Sequence, residues 1–267
     1  MAMDAGFSRQ IMKQSIGLMT RNWKQALAVS VGPIVIGVVA VFALMYASGL
    51  DIGTLAQLSR GNADAAAVPA LASLALLAAL AVVVAISAWI AVAWHRFILR
   101  EEYPGLLPSV QGKLLGSYVL RTMVMSLVLV LVIFVANLFV GLIMAGLATF
   151  LPGLLVGSLG GFVLGLIFTW VWLRIGLVLP AAAVGQKMSM LESWRITKPL
   201  AEQVLVISAM FMAINIALEL VLSLFAGFAI FSLVISLCTA WFMMMLGLCL
   251  PTTLYGVMIE GRELPRD

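Results

Sequence analysis

Glu219 is the one acid set deep within an apolar run, and Asn215 and Ser223 flank it at helical spacing. On a helix the three stack along one face at i−4 and i+4. Insertion scales assign about 2.5–3.5 kcal/mol to an acid at mid-membrane, so such a group faces a partner, a cavity or water. Two chemistries fit it: a proton or cation site, or a protonated acid that hydrogen-bonds two helices together. Counting about 1.5 Å per residue from the charged boundary puts Glu219 and Asn137 both roughly 22 Å in, and Arg174 only about 9 Å in. Asn137 is therefore the expected partner, with Ser232 and Ser236 as further candidates.

Gly153, Gly157, Gly161 and Gly165 follow Pro152 as an unbroken Gly-xxx-Gly series. Glycines at i+4 line one helix face and let another backbone approach closely, which drives helix association in lipid. Internal packing, self-association and a pore-lining face all fit that pattern. Arg96, Arg121 and Arg174 stand near Trp94, Tyr118 and Trp172 at the ends of apolar runs. Snorkelling arginines in an aromatic belt account for them. The sharper alternative is a site for anionic lipid headgroups or phosphate esters, with His95 as neighbour and with Arg9 and Lys13 contributing from the N-terminal segment.

Other chemistry lacks a signature. Met243, Met244 and Met245 with Cys249 are soft ligands in type, yet three consecutive methionines point around a helix and cannot share a metal. Glu101 and Glu102 are adjacent and face different ways. One histidine, and no Cys-x-x-Cys, nucleotide loop or nucleophile elbow, lead us to expect no cofactor, no metal and no enzymatic activity.

The elements that position these residues follow from composition. The chain is 64% apolar and 10% charged over 267 residues, against roughly 45–50% and about 25% for soluble domains. Six apolar runs, 26–46, 68–93, 123–147, 153–179, 204–225 and 228–250, are each long enough to cross a core of about 30 Å. The expected fold is an all-α polytopic membrane bundle of about six transmembrane helices, the first a retained signal anchor. The net charge of +4 is scattered, with no dense basic tract, so nucleic acid is not an expected partner. Of the 15 Lys and Arg only Arg60, in the connection 49–65 with Asp51 and Asp64, lies on the outer side. That bias puts both termini in the cytoplasm.

Three segments result: 1–25, an amphipathic interfacial segment; 26–257, the six-helix domain; and 258–267, a cytoplasmic tail. In the first, Phe7, Ile11, Met12, Ile16, Leu18, Met19 and Trp23 share one half of the helical wheel and Arg9, Lys13, Arg21 and Lys24 the other. That pattern suits a helix lying on anionic lipid. A weaker version spans 187–202, where Met190, Trp194, Thr197 and Ala201 oppose Lys187, Arg195, Lys198 and Glu202, until Pro199 interrupts it.

Internal echoes suggest a repeat. Gly176-Leu-Val-Leu-Pro180 matches Gly247-Leu-Cys-Leu-Pro251, Trp94 and Arg96 match Trp172 and Arg174, and Ser117-Tyr118 before Thr122 matches Ser193-Trp194 before Thr197. Three parallel units, each an amphipathic interfacial helix followed by a hairpin, fit these echoes.

The Ser193-Trp194…Thr197 segment, Leu179-Pro180 and Trp94-His95-Arg96 together resemble the YciC-like bacterial six-helix inner-membrane proteins. They also resemble the related membrane domain attached to some glycerophosphodiester phosphodiesterases. The resemblance implies a bacterial plasma membrane and a six-helix fold, and it brings no activity with it. The functional expectation is an accessory or assembly component acting through lipid or protein contacts, self-association included. The alternative is a small proton- or cation-coupled transporter or channel using Glu219.

Overall fold

The computed structural model describes residues 5–49, 53, 70–105, 107–225 and 227–264. Among them the structure is helical: α1 (Ala5–Arg21), α2 (Trp23–Ser48), α3 (Ala70–Arg100), α4 (Gly112–Leu147), α5 (Gly153–Ile175), α6 (Val178–Ala183), α7 (Met190–Ile196), α8 (Ala201–Leu224) and α9 (Ala229–Met258). Six helical segments are long and apolar enough to cross a membrane, α5 and α6 together making one of them. The chain is an all-α, multi-pass integral membrane protein. Asp51, Arg60 and Asp64 of the expected outer connection lie outside the described residues.

The helices overrun several of their apolar runs at the end that carries most of the lysines and arginines, here the basic end. α4 is the extreme case. Its 36 residues reach about 54 Å at a rise of about 1.5 Å per residue, well beyond a hydrocarbon core of about 30 Å. The interfacial helix expected before the second hairpin is therefore no separate element but the first part of α4. No glycine or proline interrupts the chain between Gly116 and Gly141, so nothing breaks it there. α7, in contrast, is a discrete seven-residue helix. Ser189 and Glu192 close a capping box at its start, and Lys198–Leu200 with Pro199 forms a single 3-10 turn after it.

The second helices of the three hairpins, α3, α5 with α6, and α9, meet centrally at the basic end. α2 packs on α3, and α4 on α5 and α3, while α8 packs on α5 and only lightly on its own hairpin partner α9. Burial follows the same gradient. The buried residues of α9 all lie from Met245 onward, and those of α8 are Val204, Ile207 and Ser208 near its start. Leu173, Leu177, Leu200, Ile207, Leu246 and Leu250 form one cluster there, and Val29, Ile90, Trp94 and Met245 another. Lipid tails are as apolar as leucine, so close packing and polar links, not escape from water, hold such helices together.

α1 shows how that works. Its apolar stripe is not the membrane-facing surface its pattern suggested: Ile11, Met12 and Met19 are buried against α9 and α8, and Arg9, Lys13, Arg21 and Lys24 are exposed. The physical reason is that the stripe also holds Ser8 and Ser15. Ser15 Oγ donates to Thr253 Oγ1 at 2.9 Å and Ser8 Oγ to the Gln203 carbonyl at 3.2 Å, partners that acyl chains cannot supply. Ser15→Ala is expected to lower stability by about 1 kcal/mol and to speed proteolysis within α1. Unchanged cleavage and melting would mean that apolar contacts alone dock the helix.

Candidate functional site

The polar side chains gather at the basic end, where helix termini leave backbone carbonyls without helical partners. Arginines fill that role repeatedly. Arg262 Nη1 and Nη2 donate to the carbonyls of Ile98 and Leu99 in the last turn of α3, at 3.0 and 3.1 Å. Arg96 Nη1 donates to Ala183 O at the end of α6, at 3.1 Å, and Arg121 Nη1 holds the connection before α7 by donating to Met188 O, also at 3.1 Å. A cation at a helix C-terminus also complements the helix dipole.

Arg96 is further held by Glu102, Nε to Oε2 at 2.7 Å and Nη2 to Oε1. The pair borders a small cavity of about 120 Å³ under the 101–110 connection, with Tyr103, Pro108 and Ser109. Trp89 Nε1 pins that connection by donating to Pro108 O at 2.8 Å. Glu102 thus serves as an ion-pair partner.

Arg174 is 2% exposed. Its guanidinium lies 4.1 Å from the Trp194 ring centroid and 5.3 Å from that of Trp170. Nε donates to Thr197 Oγ1 at 2.8 Å and Nη2 to Trp194 O at 2.9 Å. The Arg174 carbonyl in turn accepts from Ser193 Oγ at 2.8 Å and lies 3.2 Å from Thr197 Oγ1. One residue therefore fastens the end of α5 to α7 through both its side chain and its backbone.

At the centre, His95 is fully buried. Its Nδ1 lies 2.8 Å from Thr252 Oγ1 of α9 and its Nε2 lies 3.3 Å from Tyr118 Oη of α4. Thr252 Oγ1 also donates to Leu248 O at 2.5 Å. One assignment satisfies every group: Tyr118 donates to Nε2, and Nδ1–H donates to Thr252, whose own proton goes to Leu248. The neutral imidazole so ties together a helix from each of the three hairpins.

The links form a closed cycle. Ser15 of α1 reaches Thr253 at the end of the third hairpin, Tyr118 in the first part of α4 reaches His95 at the end of the first, and Ser193 of α7 reaches Arg174 at the end of the second. Each unit's leading helix is bonded to the closing helix of the unit before it.

The residues first considered for chemistry are distributed otherwise. Glu219, Asn137 and Ser223 are exposed on the outside of the bundle and Asn215 is half-buried. Ser223 Oγ donates to Leu220 O of its own helix at 2.7 Å. Glu219 lies five residues before α8 ends at Leu224, within snorkelling reach of the end of that helix. Gly153, Gly157 and Gly161 are likewise exposed, and a Cβ on any of them would meet nothing within 4 Å. Gly165 faces inward, with Met212 Cε 2.5 Å from such a Cβ, and Gly160, outside the i+4 series, packs on Met144. Gly157→Leu is expected to leave monomer stability within about 0.5 kcal/mol, as surface changes do. A large loss of melting temperature would show that the face is packed within the fold.

Sequence reasoning missed the His95–Tyr118–Thr252 and Ser15–Thr253 links and the Ser189–Glu192 capping box. Only the last had a local signal, the Ser-x-x-Glu spacing. Compared with known proteins, the chain matches no family model, no curated protein and no solved structure.

Proposed function

We propose that the chain is a bacterial inner-membrane protein with both termini in the cytoplasm, and that it acts without catalysis as an accessory or assembly component, through contacts made within the bilayer. The carrying observation is how its two ends differ. At the basic end His95, Arg96, Arg121 and Arg174 are occupied by partners within the chain. At the other end α4 presents a long apolar surface, with Leu127, Leu131, Phe134, Leu138 and Leu142 all exposed. Such a face suits lipid or another membrane helix. The transport reading needs Glu219, Asn215 and Asn137 to line one path, and Glu219 and Asn137 stand exposed on the outer faces of α8 and α4.

Extraction of the native membrane into nanodiscs, with mass spectrometry of what stays bound, tests the proposal. A stoichiometric membrane protein is expected to be retained, and Leu131→Trp, which adds bulk to the α4 face and stays apolar, is expected to release it. Recovery of the chain alone, together with loss of a growth phenotype in Glu219→Gln at normal folding, would overturn it in favour of transport.

A further inference from the structure

Two apolar cavities flank the meeting of α2 with α9 and together outline a groove, one limb on the α8 side and the other between α2 and α3. One limb, about 630 Å³, is lined by Leu27 of α2, Leu218 of α8 and Leu237, Trp241 and Phe242 of α9. The other, about 330 Å³, lies between Ile34, Val38 and Phe42 of α2, Ile86 of α3 and Met244 of α9. Both volumes fall in or near the range of ligand sites, roughly 300–1,000 Å³. Between the limbs Trp241 Nε1 donates to Ser30 Oγ at 2.9 Å and joins α9 to α2. Ser30 itself donates to Ala26 O at 2.7 Å, which fixes the hydroxyl as an acceptor for the indole.

Charge marks one end of this groove. Trp23 and Lys24 precede Leu27 by four and three residues, so they stand on the same face of α2 one turn closer to the basic end. Trp23 is 54% exposed, the Lys24 ammonium lies 5.8 Å from its ring centroid, and neither ion pair seen among the described residues involves Lys24. An exposed cation and an amphipathic ring at the mouth of an apolar slot match an anionic headgroup joined to acyl chains. A helix, about 10–12 Å across, does not fit limbs divided by the Trp241–Ser30 bridge, whereas a single acyl chain does.

We infer that this groove holds one anionic glycerophospholipid, its phosphate at Lys24 and its chains lying along α2 and α9 on the two sides of the Trp241–Ser30 bridge. The inference rests on the reading of the chain as one that works by contacts in the bilayer. It places the anionic-lipid site away from Arg96, Arg121 and Arg174, each of which donates to a partner within the chain.

The test is native mass spectrometry of the purified full-length protein released from nanodiscs of equimolar phosphatidylglycerol and phosphatidylcholine. One phosphatidylglycerol is expected to remain bound, enriched about fivefold, the selectivity one basic residue supplies near an anionic headgroup. Lys24→Gln is expected to bring the two lipids to parity, and Arg9→Gln, at the other end of α1, to leave the enrichment intact. Leu237→Trp fills the larger limb and is expected to lower the total lipid retained. Equal retention of both lipids by the unaltered protein overturns the site. So does enrichment that survives Lys24→Gln and disappears in Arg9→Gln, which would place the lipid on the α1 surface. The measurement uses isolated protein, so its failure leaves the co-extraction result standing and the two failures are distinguishable.

Discussion

His95→Ala is expected to destabilise the folded bundle by about 2–3 kcal/mol, seen as a lower midpoint for unfolding in nanodiscs or in detergent. Two hydrogen bonds disappear, to Thr252 and to Tyr118. Hydrogen bonds between membrane helices average only about 0.6 kcal/mol, because a helix separated within the bilayer finds other partners. The bonds by themselves therefore account for roughly half of the effect. The remainder comes from what is left behind. Tyr118, 2% exposed, keeps a hydroxyl with no acceptor in a packed site, and an unsatisfied buried donor costs about 1–3 kcal/mol. Thr252 is not orphaned in the same way, since it still donates to Leu248 O. The asymmetry supplies a check. His95→Ala combined with Tyr118→Phe removes the stranded hydroxyl, so the double variant is expected to recover part of the loss. If the two changes simply add, Tyr118 and His95 are not coupled and the central link is incidental.

The sequence made the helices legible because their signal is local. A run of about 20 apolar residues has one good solution in a bilayer, and each of the six apolar runs coincides with a helix to within a few residues at the far end. The helices proved longer at the basic end, where at the C-termini of α3 and α6 arginines satisfy terminal carbonyls, and hydropathy does not register such links. Ser15 and Thr253, or His95 and Thr252, are separated by most of the chain, so no window of sequence contains both members of either pair. The N-terminal helix shows the same limit in another form. Its apolar stripe was visible on the wheel, but a stripe is the same whether lipid or protein covers it. The two serines inside the stripe were the available clue. For Glu219 the spacing with Asn215 and Ser223 was legible, while the outward direction of that face depends on how α8 packs on α5. Depth along a helix is countable from sequence, and rotation about its axis is a tertiary property.

Arg174 is expected to give the second large effect, and the order of its substitutions matters more than their size. Arg174→Ala should lower stability by about 3 kcal/mol, because it empties the space between Trp170 and Trp194 and removes two hydrogen bonds from a charged donor. A desolvated cation over tryptophan contributes about 2 kcal/mol. Against these gains stands the burial of a charge that no acidic side chain is seen to pair with among the described residues. Replacement of a buried ionic group by an apolar one of similar volume is often close to neutral. Arg174→Met keeps much of the volume and relieves that penalty, so it is expected to be milder than Arg174→Ala. Arg174→Lys keeps the charge but not the plane. An ammonium is compact and strongly hydrated, it cannot lie flat against two rings, and it lacks the forked donors that reach Thr197 and Trp194 together. It is therefore expected to be more destabilising than Arg174→Met, although it is the conservative change by charge. Unfolding midpoints of the three variants in one lipid, with tryptophan emission reporting on Trp170 and Trp194, measure the order directly. If lysine is tolerated better than methionine, positive charge is what the position requires, and an anion must reach the Arg174 pocket from outside the chain.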